Sequence, residues 1–582
     1  MKKKFIYCIL AVFTAISCGD DFSTTPAVGA LSDETLANPA GVDLLLTGAY
    51  SVLDGQRNNA AGNQFGRGGD NWWLDVMSDD AHKGSTDGDQ TELLSIEIND
   101  IQTSNGYFRA KFQALYAGVN RANAALSVIA GIDREALLPA DAAAITAQEG
   151  EARFLRGHFY FELIKIFGNV ALISVENYDA QEFNQPNVEG TPVTSFVNSP
   201  AWAQVEADFQ FAVENLPATQ SDPGRPTIMV ARAYLGKAHL YQSDWANALT
   251  ELTAVINSGE FELNAEYLNN FNAAGENSAE SVFAIQFAAD DGQSFNGNIG
   301  GTLNFPGGGP FGSCCGFYQP TIDLANAFRV DANGLPLLDT FNDSDFLNDY
   351  GIESDEAFTP DTTTPVDPRL DYTVGRRGID FNGFGEHIGK EWIRAGFTDL
   401  SGPYLPKKNV YQESEVGTNR GAGAWGQEHS GVNYNIIRYA DVLLMAAEAA
   451  VETGDLASAL TYVNEVRDRA ASTSVVQAVD GSGPAANYQV GTYASFPDAA
   501  FARAAVRFER RIELGMEGHR LFDLRRWGVT TTVLPDYYAN ETRTISNFGP
   551  KVGPYTSTYD LIPIPVDAIG LSGGVLSQNP GY

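Results

Sequence analysis

Three stretches of the chain carry apolar residues at helical spacing. In Glu149–Gly168, Leu155, Phe159, Leu163 and Phe167 stand four apart, which stacks them along one face of a helix. Val230–Gly259 and Ile437–Ala470 share a second pattern: a helix rich in Ala, Leu and Tyr, a short polar turn, then a helix led by Ala-x-Ala-Leu. Ala231, Leu235, Ala238, Tyr241 and the Ala246, Ala248, Leu249 group correspond to Ala440, Leu444, Ala447 and the Ala457, Ala459, Leu460 group. Small residues at these positions let two antiparallel helices approach closely, the packing of tetratricopeptide-like repeats. Gly41–Leu53 and Tyr107–Ile129 give a further helical hairpin, Phe501–Leu524 a final charged helix, and Leu561–Pro565 a strand-like end.

Between the second and third pairs the pattern dissolves. Phe261–Asn433 is rich in Gly, Asn, Asp, Pro and aromatics, with turn signals such as Pro306-Gly307-Gly308-Gly309, and Ile322–Phe328 is its main helical run. The expected fold is therefore mainly α: helical repeats over about 40–260 and 434–530, carrying a loop-rich insert with short strands over about 261–433. Loops laid on a rigid scaffold are where binding residues gather.

The chain begins Met1-Lys2-Lys3-Lys4, an apolar run from Phe5 to Ile16, then Ala15-Ile16-Ser17-Cys18. The run has the length of a signal-peptide core and is too short to span a bilayer. Residues 1–17 are thus expected to be removed, leaving Cys18 as an acylated N-terminus and membrane anchor. Net charge is −36, shifting to about −39 without the three lysines of that segment. Such a field disfavours nucleic acid, anionic lipid and polyanionic ligands, and leaves neutral ligands as the expectation. With Cys8 removed and Cys18 acylated, only Cys314-Cys315 remains, a pair that can close a vicinal disulfide in an oxidising compartment.

Catalytic chemistry is weakly represented. The histidines (His82, His158, His239, His387, His429, His519) show no metal-ligand spacing, and there is no Gly-x-Ser-x-Gly elbow. Gly385–Lys390 ends in Gly-Lys but has the wrong spacing for a phosphate loop, with Glu391 where Ser or Thr belongs. Asp87-Gly-Asp89-Gln-Thr-Glu92 loosely resembles a calcium loop but lacks the third ligand and a glycine in register; it reads as a solvated acidic loop, and no cofactor or metal is expected.

Several segments in order resemble the SusD/RagB family of surface glycan-binding lipoproteins. Most specific is Phe508–Gly528, with Glu509-Arg510, Glu513-Leu514, Glu517-Gly518-His519-Arg520, Asp523-Leu524 and Arg526-Trp527-Gly528. Glu151–Arg156 with Phe167-Gly168, Arg438–Leu444, Asp367–Leu370, Ile562–Pro565 and Gln578–Tyr582 also fit. Gly19-Asp20-Asp21-Phe22 is similar to the acidic tag that sends Bacteroidota lipoproteins to the cell surface. The resemblance implies a non-enzymatic, lipid-anchored protein on the outer face of the outer membrane. There it would capture a neutral oligosaccharide and deliver it to a SusC-like TonB-dependent transporter. It leaves open a lid with little glycan affinity, a RagB-like peptide-capturing lid, or a surface glycoside hydrolase. Glu513, Glu517, Arg520, Asp523, Arg525 and Trp527 read as structural, lacing a helix to its neighbours.

Sugars are held by stacking on aromatic faces, with amides, carboxylates and guanidiniums taking the hydroxyls. The expected platforms are Trp72 and Trp73, Phe317 and Tyr318 beside the cysteine pair, Trp392 near Arg394, and Trp425 near Gln427. Trp202, Trp245 and Trp527 lie in helical patterns and read as core.

Overall fold

The computed structural model describes residues 32–55, 62–175, 193–289, 297–312, 314–408, 410–423 and 426–582; the expected signal segment 1–17, Cys18 and Trp425 lie outside them. The longer helices of the first half are α1 (Pro39–Tyr50), α2 (Gly106–Ala130), α3 (Pro139–Phe167), α4 (Trp202–Asn215), α5 (Ile228–Tyr241) and α6 (Trp245–Ser258). After the short α7 (Ile322–Ala327) come α8 (Tyr439–Thr453), α9 (Leu456–Ser472), α10 (Ala499–Leu514), α11 (Arg520–Arg526) and α12 (Thr530–Thr542). The architecture is mainly α, with tetratricopeptide-like hairpins.

The repeated pattern has a structural counterpart at the turns. Asp244 caps α6 by accepting from the Asn247 N–H, and Asp455 caps α9 by accepting from the Ser458 N–H. The residue before each cap is left-handed: Ser243 at φ 61° and Gly454 at φ 87°. Neighbouring helices meet where a side chain is missing. A Cβ on Gly118 of α2 would stand 2.4 Å from the Phe159 ring of α3, and one on Gly236 of α5 would stand 2.8 Å from Leu252 of α6. Adding a methyl group at either point would force the pair apart.

The longer of the short strands that decorate this scaffold among the described residues are β1 (Ala81–Gly84), β2 (Ser281–Ile285), β3 (Phe317–Pro320), β4 (Arg420–Gly423), β5 (Gly426–Ser430) and β6 (Tyr434–Arg438). β1 pairs antiparallel with β3, β2 with β6 (Ile285 opposite Tyr434), and β4 with β5. The expected strand at Leu561–Pro565 joins no sheet among the described residues. Ile562 and Ile564 are buried, and the Ile562 N–H donates to Ile166 O at 2.9 Å, anchoring the tail to the end of α3.

The single helix expected over Phe501–Leu524 is two helices. Between α10 and α11 the backbone turns at Met516 (φ 65°) and Gly518 (φ 75°). A Cβ on Gly518 would lie 2.2 Å from Asp70 O, and its N–H donates to Asp75 Oδ2 at 3.0 Å. The break presents Glu517 to Lys408 and Arg438 at 2.7 and 2.9 Å. Glu513, one turn earlier, holds Arg369, Arg438 and Arg469. Glu280, Glu509 and Asp367 complete the network, with Arg438, Arg467 and Arg369 as partners. Burial alone would raise the Glu513 carboxyl, but Arg469, Arg438 and Arg369 overcome it and hold the group well below the usual range. Asp523 pairs with Arg510 and Arg526, and Arg520 with Asp79. Trp202 is core, whereas Trp245 and Trp527 are only partly buried. The indole N–H of Trp527 donates to Glu448 at 2.8 Å, and Arg507 and Arg526 lie 4.6 and 5.0 Å from its ring.

Among the described residues, hydrophobic packing falls into two bodies. One large core runs through the helices and into the seam with β1 and β3. A smaller one sits within the insert, made of Phe305, Phe311, Phe381, Trp392, Ile393, Ala395, Leu405, Val410 and Tyr411.

Candidate functional site

The structure corrects the aromatic platforms. Trp73 is 0% exposed, its N–H donates to Gly66 O at 3.1 Å, and its ring lies against Tyr107 and Phe108. Trp72, 1% exposed, packs 5.7 Å from Tyr318, whose own hydroxyl donates to Asp75 Oδ2 at 2.7 Å. Phe317 is fully buried under the Lys83 ammonium, 4.8 Å from its ring. Trp392 is 5% exposed at the centre of the insert core, so close to Gly309 (φ 63°) that a Cβ there would stand 2.3 Å from the indole nitrogen. A sugar can stack only on a ring face open to solvent, and these faces are filled by protein. Cys314 and Cys315 are joined by a disulfide, with Cys315 buried and Cys314 partly exposed. Asp87 is paired with Lys551 and Asp89 with Arg394, and among the described residues no cluster of acids, histidines or cysteines is arranged for a metal ion.

One accessible cleft, of about 340 Å³, lies between the end of α1, the 222–225 turn and the end of β2. Tyr50 forms one side. Its hydroxyl donates to Glu151 Oε2 at 2.6 Å, and the Arg225 guanidinium sits 5.5 Å from its ring. Arg225 also donates to Glu151 and to Asp43, at 3.1 and 2.8 Å. Burial, then the Glu151 charge, pushes the Tyr50 phenol well above its ordinary value, so it remains a hydroxyl at neutral pH. Burial likewise raises Glu151, partly offset by Tyr50 and Arg225. The turn needs Gly224: it is left-handed at φ 82°, and a Cβ would lie 2.6 Å from the Gln286 side chain.

Gln286 joins the cleft to a strip of amides across the ends of β2 and β6. Asn277 and Gln286 exchange two hydrogen bonds of 2.9 Å, and Asn433 donates to the same Gln286 oxygen at 2.9 Å. Asn433 is fixed in turn, accepting from the Phe287 N–H at 2.8 Å and donating its own N–H to Glu276 at 3.0 Å. Gln286, which also donates to Ala284 O at 3.3 Å, is exposed but fully engaged, so the hydrogen-bonding capacity left over lies on exposed Asn277 and half-buried Asn433, which Gln286 holds in place. A phenol ring, a guanidinium, carboxylates and neutral amides together suit recognition of a polyhydroxylated ligand by hydrogen bonds. None of these residues was legible in the sequence. Gln286 follows an apolar strand, Asn433 precedes another, and only the pairing of β2 with β6 brings them together.

Comparison with known proteins gives two family matches. The model described as the SusD family matches residues 279–582. One described as "Starch-binding associating with outer membrane" matches residues 42–240. A SusD-like protein of Formosa agariphila is 26% identical over 612 aligned residues, covering 100% of both chains. Among solved structures, a "Laminarin binding SusD-like protein" superposes with TM-score 0.65 at 21% identity, covering 94% of this chain and 100% of its own. Surface glycan-binding protein A from Bacteroides thetaiotaomicron, in complex with laminarihexaose, gives TM-score 0.63 at 18% identity, covering 93% of this chain and 99% of its own. The arrangement of helices and insert is thus shared with these structures. Because the first model spans more than half of its length, the chain belongs to the SusD family.

Proposed function

We propose that this protein is a cell-surface glycan-binding lipoprotein, not an enzyme, which captures a neutral oligosaccharide at the Tyr50–Gln286 cleft and amide strip. It would then pass the ligand to a SusC-like TonB-dependent transporter, held at the outer membrane by acyl chains on Cys18. The observation that carries this reading is the Asn277–Gln286–Asn433 strip beside Tyr50 and Arg225, in which Gln286 holds Asn277 and Asn433 with amide groups left over for a ligand. Amides exchange one hydroxyl partner for another at little electrostatic cost, and a neutral sugar is not repelled by a chain of net charge −36. The relatives whose names record laminarin and laminarihexaose support a glycan as ligand class. Affinity per site should be modest, because each hydroxyl gives up water before gaining a protein partner.

Affinity electrophoresis of the purified protein through gels cast with laminarin, starch, xylan and other neutral polysaccharides tests this. Retardation by at least one is expected, and it should be lost in the Q286A/N433A double variant. Mobility unchanged in every gel would overturn glycan capture by the isolated protein and leave the role of a transporter lid. Co-purification with a TonB-dependent barrel tests delivery. A complex is expected, and its absence would sink that step alone.

A further inference from the structure

A second cleft, of about 770 Å³, lies between α10, α11, α12 and the 339–343 turn, and shares no residue with the amide site. Its volume is in the range of sites that hold small ligands. Most of the cationic charge lining it is neutralised within the protein. Arg511 pairs with Asp80 and Asp323 at 2.8 Å each, Arg520 grips Asp79 through two bonds of 2.7 Å, and Arg543 meets Asp345 at 2.7 Å.

Arg507 differs from these. Its guanidinium lies over the Trp527 ring, its Nε is buried without a hydrogen-bond partner, and among the described residues no carboxylate reaches ion-pair distance of it. The nearby acids are already engaged, Glu452 with Arg503 and Glu448 with Arg526. Burial first, with Arg526 and Arg503, pushes the Arg507 pKa down against the pull of Glu448 and Glu452. Tyr537 also lines the cleft, is 3% exposed, and its hydroxyl has no hydrogen-bond partner. The Arg507 Nε can only donate and the Tyr537 hydroxyl can donate or accept, so an acceptor oxygen is the one kind of partner that would satisfy both. Phe341 and Phe508, 5.4 Å apart and partly exposed, supply apolar surface. The exposed carboxylates Asp339, Asp343 and Asp536 would repel a polyanion but accept hydroxyl protons.

We infer that this cleft is a second ligand site, selective for an oligosaccharide that carries one carboxylate among otherwise neutral sugars. The carboxylate sits on Arg507, hydroxyls meet the aspartates and Tyr537, and sugar ring faces lie against Phe341 and Phe508. The inference stands independently of capture at the amide strip.

The test is calorimetric titration of the purified protein with a xylo-oligosaccharide bearing one glucuronic acid, against the same oligosaccharide without it. The acidic probe is expected to bind about tenfold more tightly, the worth of one charge-assisted hydrogen bond. R507Q should abolish that ratio and Y537F should weaken acidic-probe binding several-fold, while Q286A/N433A leaves the ratio unchanged. Equal affinity for the two probes, no binding of either, or a preference that survives R507Q would overturn the inference. Should R507Q fail to fold, Y537F decides: it keeps the ring and removes only the orphaned hydroxyl, and acidic-probe affinity equal to the parent's would overturn the inference.

Discussion

The helical scaffold and the insert hold themselves together by different means. The scaffold combines an extensive apolar core with a buried lattice of arginines and glutamates that also takes in insert residues: Glu513 serves Arg369 of the insert as well as Arg438 and Arg469. The insert has few regular elements and closes around a compact aromatic cluster centred on Phe311, Phe381 and Trp392. A loop-rich region can therefore spend its aromatics on its own core. Aromatic content there measures packing, and the exposed recognition chemistry is left to amides at the seam between the two regions.

The sharpest way to break this comparison is to remove one charge from the lattice. E513Q would leave arginines buried with one carboxylate fewer, and losing one member of such a network costs about 3–5 kcal/mol. Soluble yield and the melting transition should collapse for the whole protein. A variant that melts like the parent would mean the lattice is dispensable and the apolar core suffices.

W392A should act locally. Emptying a buried indole site costs about 3–5 kcal/mol. Trp392 packs within the insert core, so hydrogen exchange should rise in 305–311 and 381–411 while α3, α5 and α8 stay protected. Uniform loss of protection would show that the two cores unfold as one unit.

How much of this was legible in the sequence follows the same division. The helices announced themselves because one buried face repeats every three to four residues, and Ser243-Asp244 and Gly454-Asp455 mark equivalent turns. The break at Met516–Gly518 was hidden, since nothing local to Gly515-Met516-Glu517-Gly518 reveals that Asp70 and Asp75 lie against it. The site was hidden for a further reason. Trp72 and Trp392 look alike as exposed platforms or as core until long-range packing assigns them, and Gln286 and Asn433 meet only across a strand pair.

The seam has its own pH dependence. His82 on β1 is buried between Glu97 and Glu541, at 2.9 and 2.7 Å from its two ring nitrogens. Burial lowers its pKa, but the two carboxylates more than reverse this and raise it to about 9. A folded-state value above the ordinary 6.5 means that this stabilisation is complete below about pH 6.5 and lost as pH rises through 9. The loss should reach about 3 kcal/mol at most. Melting temperatures from pH 6 to 10 should fall more steeply for the parent than for H82Q. Parallel curves would place the titration elsewhere.

The smallest expected change tests whether the amide strip is set by the scaffold. Gly224 belongs to the turn between α4 and α5, yet its missing side chain makes room for Gln286, which follows β2. G224A keeps every polar group but places an L-residue in a left-handed conformation, at about 1 kcal/mol. It also crowds Gln286 away from Asn277 and Asn433. Stability should drop only slightly while glycan retardation weakens several-fold. If binding held at the parental level, the strip would be positioned by β2 and β6 alone and the scaffold turn would be a bystander. A loss of binding as complete as in Q286A/N433A would mean that the turn sets the geometry, and that recognition depends on both regions meeting at one glycine.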